Sequence, residues 1–412
     1  MNAQNIAIIG AGTAGLSTAI FLSQQGHECD LFEAFSKPHV KGAGILLQPQ
    51  GLQVLDELHL LDEMLNKGSK IETLYGRNNK QQIIMEFNYN DLCEGLFGLG
   101  IHRGALFDSL YAKAISQLKN FYLGQKVIDV AQDSSGATVV TDTGMVNKYD
   151  LVVIANGTWS ELIKSLNIKT IKKTYPWGAL WKIFEHSDGF SEGLLSQRYI
   201  KCHTMAGMLP SGIKPTTQKK CISFFWSLKA DKYTEWKKTD INTWKNQVCA
   251  LWPDIKPYIN QIQTHADLTF AQYADTIMPQ WHDKKIVVIG DAAHAMSPQL
   301  GQGANMALVD AWQLSQSVQH SNTVEEGLKH YSIARKKHLR FYQYASRSLT
   351  PFFQSNSKTA ALFRDWVFPP MRYVPLAKKH ALTTLFGVKT SIFSNKPNID
   401  LKALAQKIKP LD

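Results

Sequence analysis

The beginning of the chain most constrains what it can fold into. Asn5-Ile-Ala-Ile-Ile-Gly-Ala-Gly-Thr-Ala-Gly15 runs into Leu16-Ser-Thr-Ala-Ile-Phe-Leu-Ser, and a second apolar run, Cys29-Asp-Leu-Phe, ends on Glu33. The order is strand, glycine turn, helix, strand, acid. Gly10, Gly12 and Gly15 make GxGxxG: Gly10 permits the tight turn, Gly12 lets a pyrophosphate approach the backbone, and Gly15 lets helix and strand pack closely. The helix that opens there, with Ala14 in its first turn, offers free N–H groups and a positive dipole end to phosphates. Glu33 lies 18 residues past Gly15, at the end of the second strand, where a carboxylate can accept from ribose hydroxyls. The stretch predicts a Rossmann-like α/β domain for an adenine dinucleotide and leaves NAD and FAD both open.

A chain of 412 residues has room for two or three domains. Its five cysteines are scattered, odd in number and never in CxxC, which argues against a disulfide framework and against a metal site. The chain enters a strand within five residues, leaving no room for a signal peptide, and no apolar run is long enough to span a bilayer. A cytoplasmic protein is expected. The net charge of +11 is uneven: residues 331–412 carry 15 Lys or Arg against Asp365, Asp400 and Asp412, a net of +12. No nucleic-acid module accompanies this excess, so nucleic acid is not an expected partner. The region also holds Phe352, Phe353, Phe363, Trp366, Val367 and Phe368. The favoured reading is a C-terminal helical region whose aromatics pack on the body. The alternative is peripheral contact with the inner face of a membrane.

After Glu33, Gly42 and Gly44 form a loop that could approach a cofactor ring, and leucines at 52, 55, 58, 61 and 65 follow at helical spacing. His102-Arg103 opens a helix, and an Arg there can reach a phosphate with its planar fork. Residues 121–154 read as a β-meander ending in the buried strand Leu151-Val-Val-Ile-Ala. From Lys169 to about Ala271 the chain turns to aromatic-rich strands, the mark of an inserted domain. Then strand, loop and helix return at Lys284–Leu314. The expected division is a discontinuous cofactor domain (1–70, 101–168 and 275–330), a substrate domain (71–100 and 169–274) and a basic helical region (331–412). Tyr175, Trp181, His203, Phe225 and Tyr273 are candidates for lining a dry substrate pocket, but the favoured reading of each is a packed aromatic and none is assigned a catalytic role.

With these pieces in place, the loop Gly290-Asp-Ala-Ala-His-Ala-Met-Ser-Pro-Gln-Leu-Gly-Gln-Gly-Ala-Asn305 carries a resemblance. Over about residues 1–350 the chain resembles the single-component FAD-dependent aromatic hydroxylases, such as p-hydroxybenzoate and ubiquinone-biosynthesis hydroxylases. The resemblance implies a glutathione reductase-type FAD domain with an inserted α+β sheet domain. It implies a cofactor set of Gly10, Gly12, Ala14, Gly15, Glu33, Arg103, Val127, Asn156, Gly157, Asp291, Pro298, Gly301, Gly303, Ala304 and Asn305. Asp291 would meet the ribitol, Pro298 the flavin face, and Gly301–Asn305 the pyrimidine edge, where a helix N-terminus favours negative charge. His294 follows the pattern and reads as structural. NADH or NADPH would reduce the flavin without a Rossmann domain of its own, and O₂ would reach a small phenol-, quinolone- or quinone-like substrate as a C4a-hydroperoxyflavin. A monomer or homodimer is expected.

Two departures stand out. The family's Asp-Gly-x-x-Ser-x-x-Arg is here Asn156-Gly-Thr-Trp-Ser-Glu-Leu-Ile163, with Lys164 one place late, and Glu33 is followed by Ala34-Phe35 rather than a basic residue. Three other readings share the flavin core. A halogenase would need WxWxIP, which Trp177-Gly-Ala-Leu-Trp181 does not match. A prenyl-chain reductase would draw on the apolar, basic tail. A flavin- or lipid-binding protein without turnover would account for Asn156.

Overall fold

Strand Asn5–Ile9 sits near the centre of a six-stranded sheet, between Glu28–Glu33 and Leu151–Ile154, with which it pairs in parallel. The order across the sheet is His282–Asp283, Ile286–Val288, Leu151–Ile154, Asn5–Ile9, Glu28–Glu33 and Asn120–Leu123, and only the first pairing is antiparallel. Helix Thr13–Gln24 crosses back over it, with Leu16, Ala19, Ile20 and Leu22 fully buried. Ile6, Ile8, Leu151, Val152 and Val153 are buried completely, which is why these strands read as unbroken apolar runs rather than alternating ones. The computed structural model describes residues 2–38, 43–186, 190, 192–391 and 399–408, so Gly42 of the glycine loop lies outside the described residues.

The expected meander is shorter than its sequence suggests. Phe121-Tyr-Leu belongs to Asn120–Leu123 and joins the parallel sheet beside Glu28–Glu33. The antiparallel trio is Val127–Gln132, Ala137–Thr141 and Val146–Tyr149. The leucine-rich stretch after Pro49 is likewise two helices, Pro49–Glu57 and Leu61–Lys67, broken where His59 takes a positive φ of 51°.

A nine-stranded sheet forms the second layer. Its run is Thr269–Ile277, Ile171–Glu185, Lys220–Lys229, Thr204–Ile213, Gly193–Ile200, Ser69–Asn78, Gly98–His102 and Gly44–Leu47, with Ile83–Asn88 also paired to Ser69–Asn78. Gly44–Leu47 therefore belongs to this sheet, although it lies within the segment expected to be part of the cofactor domain. Alternation sorts the side chains. Leu180, Phe184, Phe224 and Trp226 face a core with Trp236, Trp244, Trp252 and Ile255. Trp181 and Phe225, which pair across neighbouring strands, point to the opposite face. Helices Val324–Phe353, Lys358–Met371, Pro375–Leu385 and Leu401–Lys407 complete the chain.

Candidate functional site

The glycine turn has the geometry that its sequence demands. Gly10 has φ +104°, and a Cβ there would sit 2.7 Å from Asn156 Cα; a Cβ on Gly15 would sit 1.9 Å from the Gly10 carbonyl oxygen. Both positions are closed to any side chain. Gly12 differs: a Cβ there meets nothing within 4 Å, so packing does not explain this glycine. Gly12 caps helix Thr13–Gln24 without a side-chain hydrogen bond, leaving the first N–H groups to face that open space. Phosphate oxygens suit it in charge and shape. Glu33 closes the far side. Its Oε2 accepts from the Ala11 N–H at 2.9 Å and its Oε1 from the Phe35 N–H at 3.0 Å, which fixes the carboxylate and leaves lone pairs for ribose hydroxyls. Gln125 N–H donates to the Glu33 carbonyl at 3.0 Å, so the segment leading to Val127 lies beside the same end, with the Val127 side chain itself buried.

The distant loop meets the turn directly. Gly290 follows strand Ile286–Val288 with φ 61° and ψ −147°, and a Cβ there would lie 2.9 Å from the Cβ of Ala14. Asp291 then stands exposed, its carboxylate without a hydrogen-bond partner among the described residues. Beneath it a buried network holds the loop. Asp310 accepts from the Gly290 N–H at 2.9 Å and from Arg335 Nε at 2.7 Å, and pairs with His294 Nε2 at 2.5 Å. Burial alone would raise the Asp310 pKa, but His294 and Arg335 outweigh it and hold the carboxyl below the usual range. His294 is 2 % exposed and committed to this pair, which makes it a structural residue.

Past it, Pro298 is exposed at the head of a short 3-10 turn, and Gly301 takes the left-handed conformation at φ 62°. Helix Gly303–Gln319 starts without a side-chain cap, and Gly301 and Gly303 are exposed; a Cβ on Gly301 would meet open space and one on Gly303 would lie 3.8 Å from Asp291 Oδ1. Asn305 is fully buried. Its Oδ1 accepts from the Gln48 N–H at 2.8 Å, and its Nδ2 donates to the carbonyls of Leu46 (3.1 Å) and Gly301 (3.0 Å). The Asn305 carboxamide is thus taken up by protein, and its part is to tie the Gly44–Leu47 strand to the helix start. From there the Gly44 N–H donates to Ser223 Oγ at 2.7 Å, on the sheet face that carries Phe225.

That face holds the pocket candidates. Trp181 and Phe225 rings lie 5.2 Å apart, and Trp181 Nε1 donates to Tyr273 Oη at 3.2 Å. Tyr175 stands nearer the loop, within the influence of Asp275 and the Ser297 backbone. Burial pushes the Tyr273 phenol up to about 12, and burial with Asp275 does the same to Tyr175. Both stay protonated near neutrality, so they can orient a substrate but cannot serve as bases there. His203 is not with them: it lies in the exposed turn before Thr204–Ile213, with its Nδ1 on Thr204 Oγ1 at 2.8 Å. A cleft of ≈ 470 Å³ runs from Pro38, His102 and Gly104 to Trp181 and Ile183. Arg103 begins helix Arg103–Ile115 between His102 and Gly104, two residues that line this cleft; it is exposed, and its guanidinium has no partner among the described residues.

An unpaired carboxylate and two uncapped, glycine-lined helix starts come together where Gly290 meets Ala14 and Gly303 faces Asp291, and Arg103 offers an unpaired guanidinium at a third helix start. That donor set fits a dinucleotide joined to a polyol, which is the chemistry of FAD. The comparisons agree: residues 3–342 match the family described as FAD binding domain (FAD_binding_3). The chain belongs to that family.

It is 24% identical over 334 residues to 2-heptyl-3-hydroxy-4(1H)-quinolone synthase of Mycobacteroides abscessus, covering 81% of this chain and 86% of the relative. It is 25% identical over 327 residues to 3-amino-4-hydroxybenzoate 2-monooxygenase of Streptomyces cremeus, covering 74% and 76%. Its fold is similar to that of 2-methyl-3-hydroxypyridine-5-carboxylic acid oxygenase, with TM-score 0.74 and 25% identity over 92% of this chain and 98% of that one.

Sequence reasoning missed the supports of this candidate site. Asp310 was visible in principle, as a lone acid in the apolar run Met306-Ala-Leu-Val-Asp-Ala-Trp. Gln48, which accepts from Tyr89 Oη at 2.6 Å, and Gln302, which donates to the Leu385 carbonyl at 2.9 Å, gave no such signal. Asn156 stands exposed against the glycine turn, and Lys164 pairs with Glu161 on the surface.

Proposed function

We propose that this chain is a flavoprotein monooxygenase that hydroxylates a small aromatic ring, phenol-, quinolone- or quinone-like, with O₂ and NADH or NADPH. The observation that carries the reading is the contact between Ala14 and Gly290, which joins the two glycine loops. It joins the glycine turn to the loop that leads to Pro298–Asn305, and the reading takes Trp181, Phe225 and Tyr273 as walls of the substrate pocket. Bound FAD supplies the redox chemistry, taking electrons from the nicotinamide and passing them to O₂. In balance, NAD(P)H, a proton, O₂ and the ring give NAD(P)⁺, water and the ring with one added oxygen.

The protein's own work is positional. Asp291 and Glu33 would hold the two sugar portions of FAD, Arg103 and the Gly12 N–H groups the pyrophosphate, and the start of helix Gly303–Gln319 the negative end of the reduced ring. Trp181, Phe225 and Tyr273 offer apolar walls that exclude water, which protects a reactive oxygen donor from wasteful loss. The Tyr273 phenol, kept protonated, can donate to a ring substituent. Three aromatic-ring relatives by name (a quinolone synthase, an aminohydroxybenzoate monooxygenase and a hydroxypyridine-carboxylate oxygenase) support a six-membered ring as the substrate class. Asn156 beside the turn is the place where handling of the nicotinamide would depart from the family pattern. The same reading takes the three-part division of the chain as functional and the basic C-terminal region as its point of contact with a membrane.

The test is to follow NADH and NADPH oxidation by the yellow holoprotein across a panel of phenols and quinolones. Ring-stimulated oxidation with a product heavier by one oxygen is expected. Oxidation indifferent to every ring, with no oxygenated product, sinks the proposal and favours a reductase or a non-turning-over protein.

A further inference from the structure

The C-terminal aromatics do not all pack as their composition suggests. Phe353 and Phe368 join the sheet through Tyr199 and Phe225, and Phe352 stacks on Phe363 at 5.5 Å. Helix Lys358–Met371 is fastened on one side only. Arg364, fully buried, donates to the carbonyls of Lys201 at 2.6 Å and Phe352 at 3.1 Å and pairs with Asp365, which in turn accepts from Asn78 Nδ2 at 3.1 Å.

The opposite side carries Leu362 at 65%, Phe363 at 51% and Trp366 at 81% exposure, spaced i, i+1 and i+4 on one helical stripe. In the link to the next helix and at that helix's start, Tyr373, Val374 and Leu376 are also 73%, 51% and 62% exposed. Scattered exposed apolar residues need no explanation, but a chain-continuous set of this size does.

Charge selects the occupant. From Lys358 to Ser391 the only acid is Asp365, against Lys358, Arg364, Arg372, Lys378, Lys379 and Lys389. Arg372 and Lys378 reach Glu86 and Asp91, yet Lys358 and Lys379 stand in solvent and the segment keeps a cationic surplus. A second copy docked face to face would bring two such surpluses together. An anionic lipid surface neutralises them and accepts Trp and Tyr at the headgroup level with Leu below. Among the described residues no helix is long and apolar enough to cross a membrane, so the contact is one of lying on the surface. We infer that the stripe from Leu362 to Leu376 docks this enzyme reversibly on an anionic bilayer. The inference does not depend on which ring the enzyme hydroxylates, since its readout is binding rather than turnover.

The experiment is co-sedimentation of the FAD-loaded protein with vesicles of phosphatidylglycerol in phosphatidylcholine and of phosphatidylcholine alone, at low and high salt, with light scattering for mass. The anionic vesicles should bind the protein, salt should release it, and tryptophan emission should shift blue on binding. Leu362→Ser with Trp366→Ser should weaken binding about tenfold or more with flavin absorbance and helix content kept. Lys358→Glu with Lys379→Glu, which touches no apolar contact, should weaken binding to the anionic vesicles alone. The inference is overturned by absence of binding at low salt, or by binding that both double variants retain. It is also overturned by a dimer that the Ser variant dissociates while the native protein ignores vesicles.

Discussion

Replacing Asp310 with Asn tests how the loop from Gly290 to Asn305 is held. The native carboxylate is fully buried and serves the Gly290 N–H, His294 and Arg335 at once. The amide keeps the shape but removes the charge, leaving the buried Arg335 guanidinium with no anionic partner, beside the amide, the Met306 sulfur and the uncharged His338 ring, whose pKa burial and then Arg335 push down to about 3. Breaking a buried pair from one side costs about 3–5 kcal/mol, a large share of the ~5–15 kcal/mol that holds a typical domain. Urea unfolding followed by flavin release and circular dichroism measures it.

The pH dependence gives a second reading. The folded Asp310 pKa is depressed, so its contribution is fully present above the unfolded value of about 3.9 and is lost as pH falls toward the folded value. The native protein should lose that stability as pH drops below about 4, and the Asn variant should lack this part of the acid response. A variant within about 1 kcal/mol of native, with the same acid profile and FAD affinity, would refute the argument that this network holds the loop.

Asp291→Ala should lower FAD affinity by about ten- to 150-fold, the worth of ~1.5–3 kcal/mol for hydrogen bonds to a charged acceptor, in a titration of the apoprotein. Gly290→Ala meets both a glycine-only backbone conformation and Ala14 at 2.9 Å, so it should cost at least ~1–3 kcal/mol of stability and weaken FAD binding through the displaced turn. Tyr273→Phe should raise KM for the ring several-fold while leaving flavin reduction and the shape of the pH profile below about pH 10 unchanged, because the phenol, pushed up to about 12, never ionises there. A lost alkaline limb in that profile would mean that Tyr273 acts as a base.

What the sequence disclosed follows from what glycine and carboxylate positions can mean. Gly10, Gly15 and Gly290 are positions where geometry forbids a side chain, so the residue type alone announces the turn. Glu33 and Asp291 sit at strand ends fixed by apolar runs, so their spacing places them. What stayed hidden depends on partners far along the chain. Gly44–Leu47 is four residues long, too short for its period to reveal that it closes the edge of the large sheet. Asn120–Leu123 looks like any meander strand until Glu28–Glu33 supplies its parallel partner. Asn305 belongs to a motif that suggests a ligand contact, yet its carboxamide serves Gln48 and Leu46, 257 and 259 residues away. Trp181 and Phe225 were nameable as aromatics on strands, but only the register, Trp181 opposite Phe225, decides that they share one sheet face while Leu180 and Phe224 turn to the other.

The most direct measurement is turnover of the holoenzyme under isotopically labelled dioxygen, with the best ring from the phenol and quinolone panel and limiting NAD(P)H. The account predicts that the product ring carries one labelled oxygen atom for each nicotinamide oxidised, and that Asp291→Ala recovers this coupling only when FAD is added in excess. Nicotinamide oxidation that yields hydrogen peroxide alone, with every ring recovered unlabelled, would contradict it.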